Sequence, residues 1–404
     1  MRAELVTTAG GFADLRDEWN RLAAGDPLAS WEWRDAWWRA YGQKRQLAVG
    51  VVRRQDRIIA LLPAYREYRH WSGRTLAMLG SGKACTDYQR ILLDDDLDEA
   101  AKRRTVDFLI DELFRPTGLM RPLDLFEIDG ADPADIATEA LVDSLQHRRF
   151  TVECQALESS WICDFADTWD EFVAGTPRQL RRKIHKAVRR EDDPDISYHE
   201  AEDAETIGAI WPEFVRLHQA RFRDRTDDGG CFVYPNFEQF LRDAVLQLAD
   251  KRQAKVVWCE HAGRPISAHL YLLGRRTAAM YQSGFDPEYQ HLEPGYLLYT
   301  LAFRSLINSG FAHFDFLRGD ETYKAGWTAR QVPLTRLHCV APRAISQLRH
   351  RTRSWARTMK RAVAQAVRDY RARNKSQAPV AKPTVGSDGI EISTDKAQPE
   401  TVNA

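Results

Sequence analysis

The sequence predicts an α/β protein of two similar halves followed by a basic helix. Three observations lead there. Helical and strand-like spacings alternate up to about Arg343, and the order of those segments repeats. Between Arg343 and Lys375 there are eleven Lys/Arg and one acid, Asp369. At ~150 residues per domain, 404 residues suggest two or three domains. Hydrophobic residues make up 44%, enough for a core in each.

Helical spacing comes first, at Phe12, Leu15, Trp19 and Leu22, over Phe12 to Ala24. Trp31 to Tyr41 reads as a second helix with Ser30 as N-cap. Leu47 to Arg53 and Ile58 to Tyr65 read as strands around the turn Arg54-Gln55-Asp56. Arg74 to Leu79 and Tyr88 to Leu93 are further strands, Glu99 to Phe114 a helix, and Leu123 to Ile128 a strand. Pro133 to Gln146 is a helix and Phe150 to Cys154 a strand. The second half opens with a strand at Ser160 to Phe165, a short helix at Trp169 to Val173 and a basic helix at Pro177 to Arg190. Helices at Asp203 to Phe222 and Phe237 to Leu248 follow. Lys255 to Glu260 and Pro265 to Leu273 form a hairpin, Thr277 to Phe285 is a strand and Gly295 to Asn308 a helix. His313 to Leu317 and Val332 to Cys339 are the last strands.

The halves overlay as "LAVGVVRRQDRIIALLPAY" on "AKVVWCEHAGRPISAHLYLL". Each is later followed by a strand, a long helix and a strand: "YQRILLDD", "EAAKRRTVDFLIDEL" and "LDLFEIDG" against "AAMYQSGFD", "PGYLLYTLAFRSLINS" and "HFDFLRG". A duplicated α/β unit is the economical explanation.

Lys+Arg and Asp+Glu are both 58, so the formal charge is zero. That argues against a globally basic nucleic-acid binder and leaves local patches open. The 343–375 segment is +10, so the rest must be −10. No stretch approaches the ~18 to 20 apolar residues that span a bilayer, and Met1 to Phe12 has no signal-peptide pattern. The six cysteines are scattered without a C-x-x-C pair, so neither a zinc site nor a disulfide framework is expected. A reduced, cytoplasmic protein fits. No P-loop, G-x-G-x-x-G, G-x-S-x-G or H-E-x-x-H occurs; "GSGKACTD" at Gly80 lacks the Walker spacing.

Five segments can carry chemistry. In Tyr281 to Trp327 a strand ends in "YQSGFDPEYQHLEPG" and a helix starts near Gly295. Helix N-termini present unpaired N–H groups and a partial positive charge, which suits a phosphate. Gly295 would let a ligand come close, and Pro294 fits a first helical turn. An ordinary strand-to-helix turn is the other reading. In "FDFLRGDETYKAGW", Asp315 sits in an apolar strand, where an unpaired carboxylate is costly, so it faces a cleft or pairs with Arg318. Lys324, flanked by Tyr323 and Trp327, either binds an anion or polarises a carbonyl, or is a snorkelling loop lysine.

In "FVRLHQARFRDRTDDGGCF", His218 and Arg221 share one helix face. Arg221, Arg223 and Arg225, pointing toward a Gly-containing loop, suit an anionic or polyhydroxyl acceptor, although a lone helical His is more often structural. In "TPRQLRRKIHKAVRR", Thr176 is the expected N-cap and Pro177 the first helical residue. Leu180, Ile184, Ala187 and Val188 make an apolar stripe. Seven Lys/Arg on the other faces are either solvated or bind nucleotide, RNA or anionic lipid. The fifth segment is the basic helix, with an apolar stripe from Ile345 to Tyr370. It suits an anionic membrane or a partner protein, or covers the protein's own surface. Ser376 to Ala404 is polar, lacks aromatics and is expected to be disordered.

Together these stretches resemble the BioF2-like acetyltransferase domain of the GNAT superfamily. That group includes CelD-type proteins linked to cellulose or exopolysaccharide synthesis and is related to Fem peptidyltransferases. The resemblance lies in "LRRKIHKAVRR", "LHQARFRDR", "GRPISAHLYL", "YQSGFDPEYQHLEPGYLLY" and "FDFLRGDETYKAGW", in that order. "SWEWRDAWWRAYG", "IIALLPAY" and "MLGSGKACTDYQRILL" extend it over about 1 to 341.

The resemblance implies tandem GNAT-like domains, each a mixed β-sheet flanked by helices: 1–155, then a catalytic 156–341, then the basic helix 342–375 and the tail 376–404. It implies N- or O-acyl transfer from acetyl-CoA or another acyl-CoA, without a metal. The pyrophosphate position matches His291 to Leu297, with Gln290, Leu292, Gly295 and Tyr296 as donor-binding residues. The usual Arg/Gln-x-x-Gly-x-Gly/Ala pattern is only partly met, since Pro294 removes one donor and a second glycine is missing. Fem-type relatives use aminoacyl-tRNA, and their Phe-Lys-x-Gly-Phe stretch resembles Tyr323-Lys324-Ala325-Gly326-Trp327. By that likeness Lys324 stabilises the carbonyl oxygen, while Asp315 or Tyr323 manages the acceptor proton. His218, Arg221, Tyr281, Arg318 and Trp327 would line the acceptor side. The expected acceptor is a small molecule or a glycan or lipid precursor. Arg343 to Lys375 would meet the inner membrane surface or a partner, and tRNA is the alternative donor carrier.

Overall fold

A computed structural model describes residues 1–115, 118–119, 122–223, 229–353, 355 and 359. The chain divides into two units, Met1–His350 and Arg351–Ala404. In the second unit the described residues 351–353, 355 and 359 are helical. The remainder of the expected basic helix, and the expected disordered tail, lie outside the described residues.

The first half runs β1 (Arg2–Val6), α1 (Ala9–Asp14), α2 (Arg16–Ala23), α3 (Trp31–Tyr41), β2 (Gln46–Leu47), β3 (Val49–Arg54), β4 (Arg57–Leu62), β5 (Ala64–Arg69), β6 (Gly73–Met78), β7 (Leu92–Leu93), α4 (Glu99–Phe114), β8 (Leu125–Ala131), α5 (Ile136–His147) and β9 (Thr151–Ala156). The second half runs β10 (Ser160–Asp164), α6 (Trp169–Gly175), α7 (Arg178–Val188), β11 (Ile196–Ala201), α8 (Ala204–Phe222), α9 (Pro235–Ala249), β12 (Ala254–His261), β13 (Arg264–Leu273), β14 (Thr277–Phe285), α10 (Pro294–Asn308), β15 (His313–Asp315), α11 (Thr322–Gly326), β16 (Arg330–Val332) and β17 (Thr335–Val340).

Local chemistry sets many of these boundaries. Ser30 accepts from the Trp33 amide and starts α3, as expected, and Asp98, Asp135 and Asp203 cap α4, α5 and α8 in the same way. Thr176 does not cap α7. Its hydroxyl donates to Val173 O and closes α6, so Pro177 becomes the N-cap and the helix starts at Arg178. The helix expected over Phe12 to Ala24 is broken at Leu15 into α1 and α2. Of the strand expected over Tyr88 to Leu93, only Leu92–Leu93 forms, because Tyr88 takes a left-handed turn (φ 57°).

The mixed α/β architecture is as expected, and the repeat is visible in it. In the first half β1, β3 and β4 run antiparallel side by side; in the second, β11, β12 and β13 do so. In each half a strand, a long helix and a parallel strand follow: β6–α4–β8 and β14–α10–β15. The strand preceding α4 in that unit is β6, rather than the Tyr88 to Leu93 segment of the sequence overlay.

One exchange is invisible in the sequence. The second half holds a seven-stranded sheet, β11-β12-β13-β14-β15-β10-β16. The last strand among the described residues, β17, instead lies between β8 and β9 in the six-stranded sheet of the first half. The halves also share apolar core. Trp33 of α3 packs edge-on against Phe240 of α9 and Tyr281 of β14, with both ring centroids 4.9 Å away. Among the described residues, no helix is long and apolar enough to cross a membrane.

Candidate acyl-transfer site

The site grows from β14. This strand pairs with β13 throughout, but with β15 only over Thr277–Ala279. From Met280 to Phe285 its other edge has no strand beside it, because β15 ends at Asp315. The sheet is thus splayed. A register shift between Leu270 and Tyr271 makes Tyr281 an extra residue. Side chains alternate across a strand, so one extra residue reverses which face the following ones meet. His269 and Ser283, paired across β13 and β14, consequently reach the α10 side.

A cavity of about 170 Å³ fills this place, with Gly295, Tyr296 and Tyr299 of α10, Tyr323 and Trp327 among its walls. Arg221, at the end of α8, completes it and donates to Ser283 Oγ. Helix α10 starts after Glu293, which is left-handed (φ 52°), and has no side-chain cap. A Cβ built on Gly295 would meet nothing within 4 Å. The first turn of α10 therefore presents uncapped amides beside open space.

Helix α7 holds the turn before α10. Its apolar residues Leu180, Ile184 and Ala187 are buried, and its basic side reaches across. Lys186 pairs with Glu293, Arg190 donates to Leu292 O, and Lys183 Nζ lies 3.9 Å over the Tyr296 ring.

The polar groups in the cavity are electrostatically distinct. Burial, aided by the charge of Arg221, lowers the His269 pKa to about 3, so its imidazole is neutral at pH 7. Its Nδ1 lies 2.8 Å from Tyr271 Oη. Burial raises the Tyr323 phenol above its ordinary value, against the lowering effect of its bond to Tyr299, and keeps it protonated. The Tyr299 hydroxyl lies 3.2 Å from Tyr323 Oη and 3.0 Å from Met280 Sδ.

Lys324 stands behind this wall and is 1% exposed. Its Nζ donates to the carbonyl oxygens of Leu317 (3.0 Å), Arg318 (3.2 Å) and Gly319 (3.4 Å), and lies 2.8 Å from Glu321 Oε2. The left-handed Leu317 (φ 56°) and Gly319 (φ 143°) wrap the loop around it. An ammonium has three protons, and these four oxygens engage them.

The other sequence-derived residues converge only in part. Of that set, Gly295, Tyr296, Tyr323, Trp327 and Arg221 share the cavity. Leu292 lines a small niche against α7, and Gln290 accepts the Glu293 amide in the turn Pro287–Leu292. Asp315 points to the opposite side of the sheet, where it accepts from Tyr88 Oη (2.6 Å), Ser160 Oγ (2.7 Å) and the Leu317 amide (2.7 Å). Arg318 is tied to Asp87 and Asp129 of the first half. Tyr281 donates to Ala84 O at 2.6 Å. His218 Nε2 lies 3.0 Å from Gln282 Oε1, and burial lowers its pKa to about 4. The sequence reading missed His269, Ser283 and Tyr299. Alternation in "ISAHLYLL" marks His269 as one face of a strand, but which face the cavity takes depends on the bulge.

Residues 175–325 match the acetyltransferase (GNAT) domain family. No curated protein matches the sequence. Among solved structures, FemX aligns with a TM-score of 0.58 at 11% identity, over 86% of this chain and 99% of its own. A conserved protein of unknown function from Bacteroides thetaiotaomicron VPI-5482 aligns with a TM-score of 0.52 at 11% identity, over 83% and 100%. At that identity the likeness concerns the fold. The splayed β14–β15 pair and the open head of α10 lie inside the matched segment, and the chain carries a GNAT-type acetyltransferase domain in its second half.

Proposed function

We propose that the chain transfers an acyl group from acyl-CoA to an amine or hydroxyl acceptor. The observation that carries this reading is the cavity where splayed β14 meets the uncapped first turn of α10, with Gly295 facing open space. The Gly295 and Tyr296 amides suit a donor phosphate, and the basic side of α7 lies beside them. The missing Pro294 amide is offset by Lys183, whose ammonium brings positive charge over Tyr296 in the same turn.

The acceptor attacks the thioester carbonyl directly. A C–N or C–O bond forms as the C–S bond breaks, the leaving thiolate takes the Tyr323 proton, and the acceptor proton passes to water. Arg221 supplies positive charge for the developing oxyanion. His269, being neutral, can orient the acceptor by hydrogen bonding. Lys324 is a positioning residue that fixes the loop leading into Tyr323. A hydroxyl or amine on a glycan or lipid precursor suits the sequence likeness to CelD-type proteins.

Incubation with acetyl-CoA and pools of amino and hydroxyl acceptors, read by released thiol, tests this. Release that depends on both acceptor and Tyr323 supports it. The reading fails if no acyl-CoA stabilises the protein or loses its acyl group. An aminoacyl-tRNA donor is the second reading, favoured by the seven Lys/Arg from Arg178 to Arg190 and the FemX-like fold. Ligands that bind the folded state raise the melting temperature. Acetyl-CoA and aminoacyl-tRNA compared in one thermal-shift series therefore separate the two.

A further inference from the structure

The far end of the six-stranded sheet carries a surface that the transfer chemistry does not use. Among the described residues of the unit Met1–His350, seven large apolar side chains are exposed: Met1, Tyr68, Trp71, Leu119, Val233, Ile345 and Leu348. Five of them, Tyr68, Trp71, Leu119, Ile345 and Leu348, gather at this end. Trp71 is the most exposed of all, at 75%.

Local contacts fix the grouping. Trp71 lies on the tip between β5 and β6, closed by the Ser72 amide on Arg69 O, and Tyr68 pairs across to Arg74. Gly73, next on that tip, is left-handed (φ 76°) and lies against Asp124 and Arg349. Asp124 accepts from Ser346 Oγ at 2.6 Å and pairs with Arg343 and Arg349, so the helix that begins at 344 is seated beside the tip. Gln347 reaches Thr151 at the start of β9. Ile345 and Leu348 are left turned outward. Leu119 folds back on the end of α4, its amide donating to Glu112 O.

Among the described residues, the charges left without an ion partner around these side chains are basic. Arg66, Arg74 and Arg149 make no ion pair among the described residues, and Arg74 and Arg149 are exposed. Asp124 is paired with Arg343 and Arg349 and Glu112 with Arg115, while Glu153 Oε1 lies 2.7 Å from His350 Nε2. Arg149 and Arg343 also line a cavity of about 460 Å³ at this end, together with Arg115 and Arg148. Beyond His350 the sequence continues in the same vein, with nine Lys/Arg and one acid from Arg351 to Lys375.

We infer that this end of the first half docks on an anionic lipid surface. Trp and Tyr sit at headgroup depth, with one side apolar and the other wet. Basic residues beside them are drawn to acidic lipids. Exposed Leu and Ile offer nothing to a phosphate backbone, which separates this surface from a nucleic-acid site. The orientation leaves the acyl-transfer cavity in the other half. The inference stands whether or not that cavity transfers acyl groups.

The full chain is sedimented with vesicles of phosphatidylcholine alone and of phosphatidylcholine mixed with phosphatidylglycerol. Binding is expected to the mixed vesicles only, and to weaken with salt. Each basic residue near the surface changes partition by about fivefold, so Arg74→Glu with Arg149→Glu lowers it by about 25-fold or more. Trp71→Ser with Leu348→Ser lowers it even in low salt. All four side chains are exposed or half-exposed, so unchanged thermal melts confirm that these variants fold. Three results overturn the inference. The wild type binds neither vesicle; the variants bind as well as wild type, which assigns the contact to residues after His350; or Trp71→Ser abolishes self-association or RNA binding in a protein that ignores vesicles.

Discussion

The ammonium of Lys324 lies 3.0 Å from the carbonyl oxygen of Leu317, inside a ring of backbone oxygens that closes the loop before Tyr323. A lysine so placed acts on the protein's own backbone. Lys324→Met leaves buried carbonyls without a donor, and an unsatisfied buried group costs roughly 1–3 kcal/mol. The variant is expected to lose about 2–4 kcal/mol of stability for the loop's several acceptors together, visible in denaturant unfolding. A Lys324→Met protein of wild-type stability that has lost turnover would instead give Lys324 a direct role at the reacting carbonyl.

Tyr323 behaves differently. Its hydroxyl meets Tyr299 at the cavity wall, and burial keeps it protonated. Tyr323→Phe removes one hydrogen bond and the proton donor. The expectation is a kcat lower by about 10²-fold, in the range for general acid catalysis, with KM for the donor little changed. Equal kcat in both proteins would move proton transfer elsewhere.

Asp315 gives a pH signature. Burial raises its pKa from 3.8 to about 6, in spite of bonds from Tyr88, Ser160 and Leu317 that favour the carboxylate. An unfolded aspartate titrates near ~3.9. Between about pH 4 and about pH 6 the folded chain keeps this proton and the unfolded chain has released it, so this group's contribution falls as pH rises. The full difference is about 3 kcal/mol. Asp315→Asn removes the dependence. Unfolding curves of the two proteins should diverge through this window in favour of the variant, and a constant gap would contradict the buried carboxyl.

Gly284 shows how closely α8 crosses the sheet. A Cβ there would strike the His218 amide and Leu217 carbonyl carbon, and lie 2.6 Å from His218 Cα. Gly284→Ala is expected to destabilise by about 1–3 kcal/mol through overpacking. A melt equal to wild type would mean that helix and strand are further apart than this.

Much of this architecture was legible in the sequence, because helix and strand periods are local. Glu99–Phe114 and Thr277–Phe285 fall where apolar spacing puts them. Non-local facts were not legible. Nothing within "TRLHCV" says that β17 pairs with β8 and β9 rather than with its own half. The bulge at Tyr281 is a single inserted residue, yet it decides that Ser283 meets the cavity while Tyr281 faces α3. The sequence marked Asp315 as costly to bury, which is correct, but read Lys324 as an anion or carbonyl contact or a snorkelling loop lysine, where the structure buries it. Their partners come from residues 88 and 160 for one, and from backbone carbonyls for the other, and no spacing rule reveals either.

In the proposed reaction the donor lies against the first turn of α10. Gly295 gives the most direct test, since its Cβ direction is empty and a large side chain there fills the cavity without displacing the core. Titration calorimetry of acetyl-CoA into the wild type and Gly295→Trp, alongside their thermal melts, measures it. Binding is expected to the wild type and none to a variant that melts at the wild-type temperature. Equal binding by both proteins would contradict it.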